Sequence, residues 1–111
     1  MNQNNIFDCL FEIIKERKES PPAKSYVASL MQSGVGKINA KIREEAQEVC
    51  EAALENDEKH LVHEMCDLLF HLFVLAGFKD LSLSQLENEL KRRFGISGLE
   101  EKARRKENEP K

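Results

Sequence analysis

The sequence predicts an all-α protein, a bundle of four to five helices whose core is completed by dimerisation. Apolar residues recur at helical intervals in three long segments, and nowhere do they alternate as in a half-buried strand. Glycine and proline are few, 5 and 3 in 111 residues, while charged residues make up 33%. That balance suits helices joined by short turns. The most apolar segment also carries more apolar surface than two or three short helices can cover, and such an excess marks an interface.

The first helix is expected over residues 5–19, where Ile6, Phe7, Leu10, Phe11, Ile13 and Ile14 make an apolar face. Ser20-Pro21-Pro22 stops it, because proline lacks the N–H and biases the preceding residue away from helix. Ser25 caps a short helix that reaches Met31, and Gly34 and Gly36 punctuate a loop. A long helix is expected over residues 37–55 with Ile38, Ile42, Ala46, Val49 and Ala53 as its stripe. Asn56 or Asp57 caps the next helix, residues 58–77, which is apolar nearly all round in its second half, as in the centre of a bundle. Gly77 offers a stop. Ser82-x-x-Gln85 reads as a capping box that opens a helix carrying Leu83, Leu86, Leu90 and Phe94. Gly95 and Gly98 break that helix, and a charged tail closes the chain from about residue 106. The whole length reads as a single domain, residues 1–111.

The net charge of −3 gives no general attraction to nucleic acid. No basic segment followed by an apolar one marks a secretory signal, and the most apolar stretch, residues 68–78, is too short to span a bilayer. Cys9, Cys50 and Cys66 form no C-x-x-C pair, and Cys50 and Cys66 fall among apolar helical positions, which predicts buried thiols. A cytoplasmic location, with no membrane and no nucleic-acid partner, fits these features.

Four carboxylates carry the functional signal. Glu45 and Glu48 stand three residues apart on one predicted helix, Glu64 and Asp67 three apart on the next, so each pair shares a helix face. On an antiparallel helix pair the four would converge as oxygen ligands for a hard cation such as Mg2+. The two pairs are unequal. His60, Glu64, Asp67 and His71 form a polar stripe in an apolar helix, where a lone carboxylate is costly unless paired or bound to metal. His60, in the first turn, reads mainly as solvated. His71 reads as a hydrogen-bonded core residue, a direct ligand, or a group that orients a carboxylate. Glu48 lies with Lys37, Lys41, Glu44, Glu51 and Glu55 on what is equally an ordinary solvated face, and Glu45 borders the apolar stripe. If both helices contribute, Mg2+ at Glu45, Glu48, Glu64 and Asp67 would neutralise a polyphosphate and acidify a water, and Glu44 would take its proton. Lys37 and Lys41 would meet phosphate oxygens, and Arg93 with the Ser97-Gly98 turn would lie against an anionic substrate. The alternative for the C-terminal basic residues, Lys102 and Arg105 included, is a soluble charged end. There is no P-loop, zinc spacing or nucleophile elbow.

The E-x-x-E of Glu45–Glu48 and the E-x-x-D of Glu64–Asp67 resemble the signature of the MazG-like all-α nucleoside-triphosphate pyrophosphatases. The flanking residues are more specific. Ser25-Tyr26, Gly34, Lys37-Ile38, Lys41-Ile42 and Glu44-Glu45-Ala46 follow the order found in the phosphoribosyl-ATP pyrophosphatase family. So do the run from Asp67 to Leu72 and the ending from Ser97 to Ala103 with Arg105. The resemblance covers residues 6–105. The sequence departs from the family's pattern at Arg43, where Gly is common, and at Ala40, where a second Lys is common.

The resemblance implies a homodimeric hydrolase that converts phosphoribosyl-ATP to phosphoribosyl-AMP and pyrophosphate with Mg2+, the second step of histidine biosynthesis, in its stand-alone form. It places the metal on Glu45, Glu48, Glu64 and Asp67, with Glu44 close by, and the substrate near Lys37, Lys41, Arg93, Lys102 and Arg105. Two other readings compete, a house-cleaning pyrophosphatase for free (deoxy)nucleotides and a non-catalytic helical dimerisation module.

Overall fold

A computed structural model describes residues 5–94. Its elements are α1 (Ile6–Lys18), a 3-10 turn (Pro22–Lys24), α2 (Tyr26–Ser33), α3 (Val35–Ala52), α4 (Glu58–Phe78) and α5 (Leu83–Phe94). The described residues contain no strand, so the all-α class holds. Within the described residues, those up to Leu81 form one compact unit and those from Ser82 a second.

The caps follow local chemistry. Asn5 Oδ1 accepts from the Phe7 N–H at 2.9 Å, Ser25 Oγ from Ala28 at 3.1 Å and Asp57 Oδ1 from His60 at 3.1 Å, each satisfying a donor that the first turn leaves unpaired. In the second unit the capping box closes reciprocally. Ser82 N–H donates to Gln85 Oε1 at 2.8 Å, and Gln85 N–H donates to Ser82 Oγ at 3.2 Å.

Two glycine expectations need correction. Gly34 alone makes the break between α2 and α3. Its φ of 94° ends α2 and starts α3 at once, so Gly36 lies inside the first turn of α3 rather than in a loop. Gly77 does not stop α4, which continues to Phe78 and turns at Asp80, φ 60°. Lys18 clamps that turn, donating to Gly77 O at 3.1 Å and to Asp80 Oδ1 at 2.7 Å. Gly77 is needed for close packing, because a Cβ there would lie 2.8 Å from Ile14 Cγ2 and 3.4 Å from Met31 Cε. Ile14 is a fully buried β-branched residue with little room to yield. Gly77→Ala is therefore expected to destabilise the fold by about 1 kcal/mol, overpacking outweighing the better helix propensity of alanine. A urea midpoint equal to or above the parent's would contradict this.

The core of the first unit joins Ile14 of α1, Val27, Ala28, Leu30 and Met31 of α2, Ile38 and Ala52 of α3, and Phe73, Val74 and Ala76 of α4. Phe7 and Phe11 pack on Phe73, with ring centroids 5.6 and 4.6 Å apart. On α3 the buried line runs through Ile38, Glu45 and Ala52, seven residues apart, while Ala53, assigned to the stripe by sequence, is exposed. A glutamate therefore occupies the middle of the buried seam of α3.

On α4 the polar stripe faces inward. Glu64 and His71 are buried, whereas Val62, Met65, Leu69 and Leu72 are 58, 49, 38 and 40% exposed. Cys66 is exposed beside them and Cys50 is exposed on α3, against the expectation of buried thiols. Both thiols lie on helix faces that the described residues leave uncovered. By length and composition α4 could cross a membrane, yet its inward face carries Glu64, Asp67 and His71 against α3 and α2.

Candidate metal centre

Among the described residues, Glu45 and Glu64 are the two acidic residues that the fold buries, at 6 and 8% exposure. They are held alike. Glu45 Oε2 lies 3.5 Å from Lys41 Nζ, one turn earlier on α3. Glu64 Oε2 lies 3.1 Å from His60 Nε2, one turn earlier on α4. In each case the second oxygen, Oε1, is buried with no hydrogen-bond donor. A buried carboxylate oxygen without a donor carries a desolvation penalty of about 1–3 kcal/mol or more. Two on packed helices satisfy the donor chemistry of a hard cation, which binds carboxylate oxygen.

Glu48, half-buried, links the two helices. Its pKa is raised above the ordinary carboxylate value, first by a hydrogen bond shared with Glu64, then by burial and by the negative charges of Glu45, Glu64 and Glu44. Ligand atoms of Glu44, Glu45 and Glu48 fall within 4.8 Å of one another, as do those of His63, Glu64 and Asp67. The acids thus gather in one cluster on each helix, with Glu48 beside Glu64, and the burial of Glu45 sets it apart from an ordinary solvated face. His63 Nε2, 3.4 Å from Asp67 Oδ2, adds an imidazole that sequence reasoning passed over. Its i, i+4 spacing to Asp67 was the available signal.

The sign of the Glu48 shift gives a test. A carboxyl raised in the folded state binds its proton more tightly there than when unfolded, so folding stability falls as pH climbs from the ordinary carboxylate value through the raised one. Glu48→Gln is therefore expected to raise the Tm of metal-free protein at alkaline pH and to flatten the decline that sets in above the ordinary carboxylate pKa. Parent and variant declining in parallel would contradict it.

Lys41 also donates to Glu44 Oε1 at 2.8 Å, which raises the lysine's pKa and holds Glu44, exposed, below the usual carboxylate range. Lys41 thus sits against the acids, while Lys37 is exposed one turn before it. His71 is a buried, hydrogen-bonded core histidine. Its Nδ1–H donates to the Asp67 carbonyl at 2.7 Å, leaving Nε2 to accept from the Tyr26 hydroxyl at 2.7 Å. Tyr26, which burial pushes above its ordinary pKa, also stacks on Phe70, 6.2 Å away at 23°. This fastens α2 to the segment of α4 that bears Asp67. In the second unit Arg93 pairs with Glu89 at 2.7 Å, and Arg92 and Arg93 pull that carboxylate down to about 2. Lys102, Arg105 and the Ser97-Gly98 turn lie outside the described residues.

Residues 7–94 match the phosphoribosyl-ATP pyrophosphohydrolase family. The chain belongs to that family. Among its relatives, the phosphoribosyl-ATP pyrophosphatase of Geobacter sulfurreducens is 44% identical over 108 residues, covering 96% of this chain and 100% of the relative. Those of Trichlorobacter lovleyi and Ruthia magnifica are 45 and 42% identical, covering 96 and 92% of this chain and 100 and 97% of the relatives. As a phosphoribosyl-ATP pyrophosphohydrolase family member, the chain carries its acidic clusters and its buried oxygens within the matched region.

Proposed function

We propose that this chain hydrolyses phosphoribosyl-ATP to phosphoribosyl-AMP and pyrophosphate, the second step of histidine biosynthesis, at a Mg2+ site built from Glu45, Glu48, Glu64 and Asp67. The observation that carries this reading is the pair of buried, donor-free oxygens on α3 and α4, Glu45 Oε1 and Glu64 Oε1. The relatives' shared name supplies the substrate.

When bound, Mg2+ supplies charge neutralisation of the polyphosphate and a more acidic water. The residues of the chain divide the remaining work. Glu45 and Glu64 would each offer the ion the oxygen that Lys41 and His60 leave open. Glu48 and Asp67, half-buried, complete the acidic set. Glu44 is exposed and available to accept a proton, but Lys41 keeps it a weak base. Lys37 and Lys41 are proposed to meet phosphate oxygens, and contact with phosphate would release Glu44 from Lys41. Arg93, Lys102 and Arg105 are proposed to add substrate contacts.

The family match spans both compact units, which supports treating the chain as one functional domain. We place the protein in the cytoplasm as a homodimer with no membrane or nucleic-acid partner. Only 28% of the most apolar window of α4 is buried within the chain, and a second copy laid on Val62, Met65, Leu69 and Leu72 would cover it.

The test is a substrate panel. Purified protein with Mg2+ is expected to release pyrophosphate from phosphoribosyl-ATP faster than from dCTP or dUTP, and EDTA is expected to abolish turnover. Faster turnover of free deoxynucleotides would contradict the substrate assignment.

A further inference from the structure

His60, a first-turn residue expected to be solvated, is fixed on three sides. Its backbone N–H donates to the Asp57 cap at 3.1 Å. Its ring Nδ1 lies 2.9 Å from Glu55 Oε1, and its Nε2 lies 3.1 Å from Glu64 Oε2. Ionised carboxylates only accept hydrogen bonds, so each ring nitrogen that faces one must donate. The imidazole therefore spans the α3–α4 turn, joining Glu55 to the buried Glu64.

The two oxygens of Glu64 consequently have different tasks. Oε2 is held by His60, and Oε1 remains buried and without a donor. We propose that His60 is a positioning residue that fixes the Glu64 carboxylate with Oε1 toward the metal and limits it to single-oxygen ligation. Glu55 in turn orients the ring through Nδ1. Partners that hydrogen-bond a ligating carboxylate set its direction, and losing one weakens metal affinity by roughly 10–100-fold. A cation 3.1 Å from the ligand also repels a second cation, so charge and positioning predict opposite changes when His60 is removed.

The assignment rests on the metal site proposed above, and the experiment separates the two. Mg2+ alone is titrated calorimetrically into metal-free protein for the parent, His60→Leu, His60→Gln and Glu55→Gln, with helicity and Tm of each recorded without metal. The glutamine amide can donate from near the position of Nε2, so His60→Gln is expected to bind Mg2+ within about threefold of the parent. His60→Leu is expected to bind about tenfold more weakly or worse, with parent-like helicity. Excess Mg2+ should restore kcat in the leucine variant, leaving the defect in the metal requirement. Glu55→Gln should fall between the parent and His60→Leu. Parent-like or tighter binding by His60→Leu overturns the assignment, because His60 would then be a neutral bystander or only a repelling charge. Equal weakening in the leucine and glutamine variants also overturns it. Absence of Mg2+ binding by the parent removes the metal site itself, and the assignment with it.

Discussion

Glu64→Gln is expected to lower kcat/KM for phosphoribosyl-ATP by about a thousandfold at saturating Mg2+. Metal-based charge stabilisation in phosphoanhydride hydrolysis is worth several kcal/mol, and each 1.36 kcal/mol is about tenfold in rate. The substitution is nearly isosteric, but a neutral amide is a poor ligand for a hard cation. The same change should leave the metal-free fold intact or more stable, because it removes a buried charge whose Oε1 has no donor. Loss of turnover with a parent-like or higher Tm is the expected pairing. Asp67→Asn should act in the same direction from a half-buried position. Unchanged activity in both variants would favour the non-catalytic helical module.

The second large effect concerns the outer face of α4. Met65 and Leu69, four residues apart, are 49 and 38% exposed on a helix that otherwise anchors the core. Replacing both by lysine would place two ammonium groups in the proposed dimer interface, at a cost of several kcal/mol. Association should weaken by about a thousandfold. Sedimentation should show a dimer for the parent at micromolar concentration and a monomer for the double variant. A monomeric parent would contradict the proposal, and α4 would then need another cover for its apolar face.

The helices were legible because their signals are local. Asn5, Ser25, Asp57 and the Ser82–Gln85 box all cap as their residue types require. What sequence periodicity missed depends on which face of a helix meets which neighbour. α4 is apolar nearly all round, so counting apolar positions could not show that its polar stripe faces inward and Leu69 and Leu72 outward. The same ambiguity misassigned Cys50 and Cys66. Gly77 looked like a stop because glycine commonly ends helices, whereas here it permits α1 and α2 to approach α4. The four candidate carboxylates were singled out by spacing, and Glu45 and Glu48 drew most of their weight from the family resemblance. The partners that orient them were not, since Lys41 on Glu45 and His60 on Glu64 each look like an ordinary surface pair one turn apart. Their significance lies in the burial of the glutamate, which no i, i+4 pattern encodes.

The central claim is that the bare oxygens of Glu45 and Glu64 bind the catalytic ion. A crystal structure with Mn2+ in place of Mg2+ tests it most directly, through the anomalous signal of the metal. The account predicts anomalous peaks between α3 and α4, with Glu45 Oε1 and Glu64 Oε1 each bonded to an ion and His60 still on Glu64 Oε2. Peaks confined to the acidic turn around Glu55, Asp57 and Glu58, or both oxygens left without metal, would contradict it.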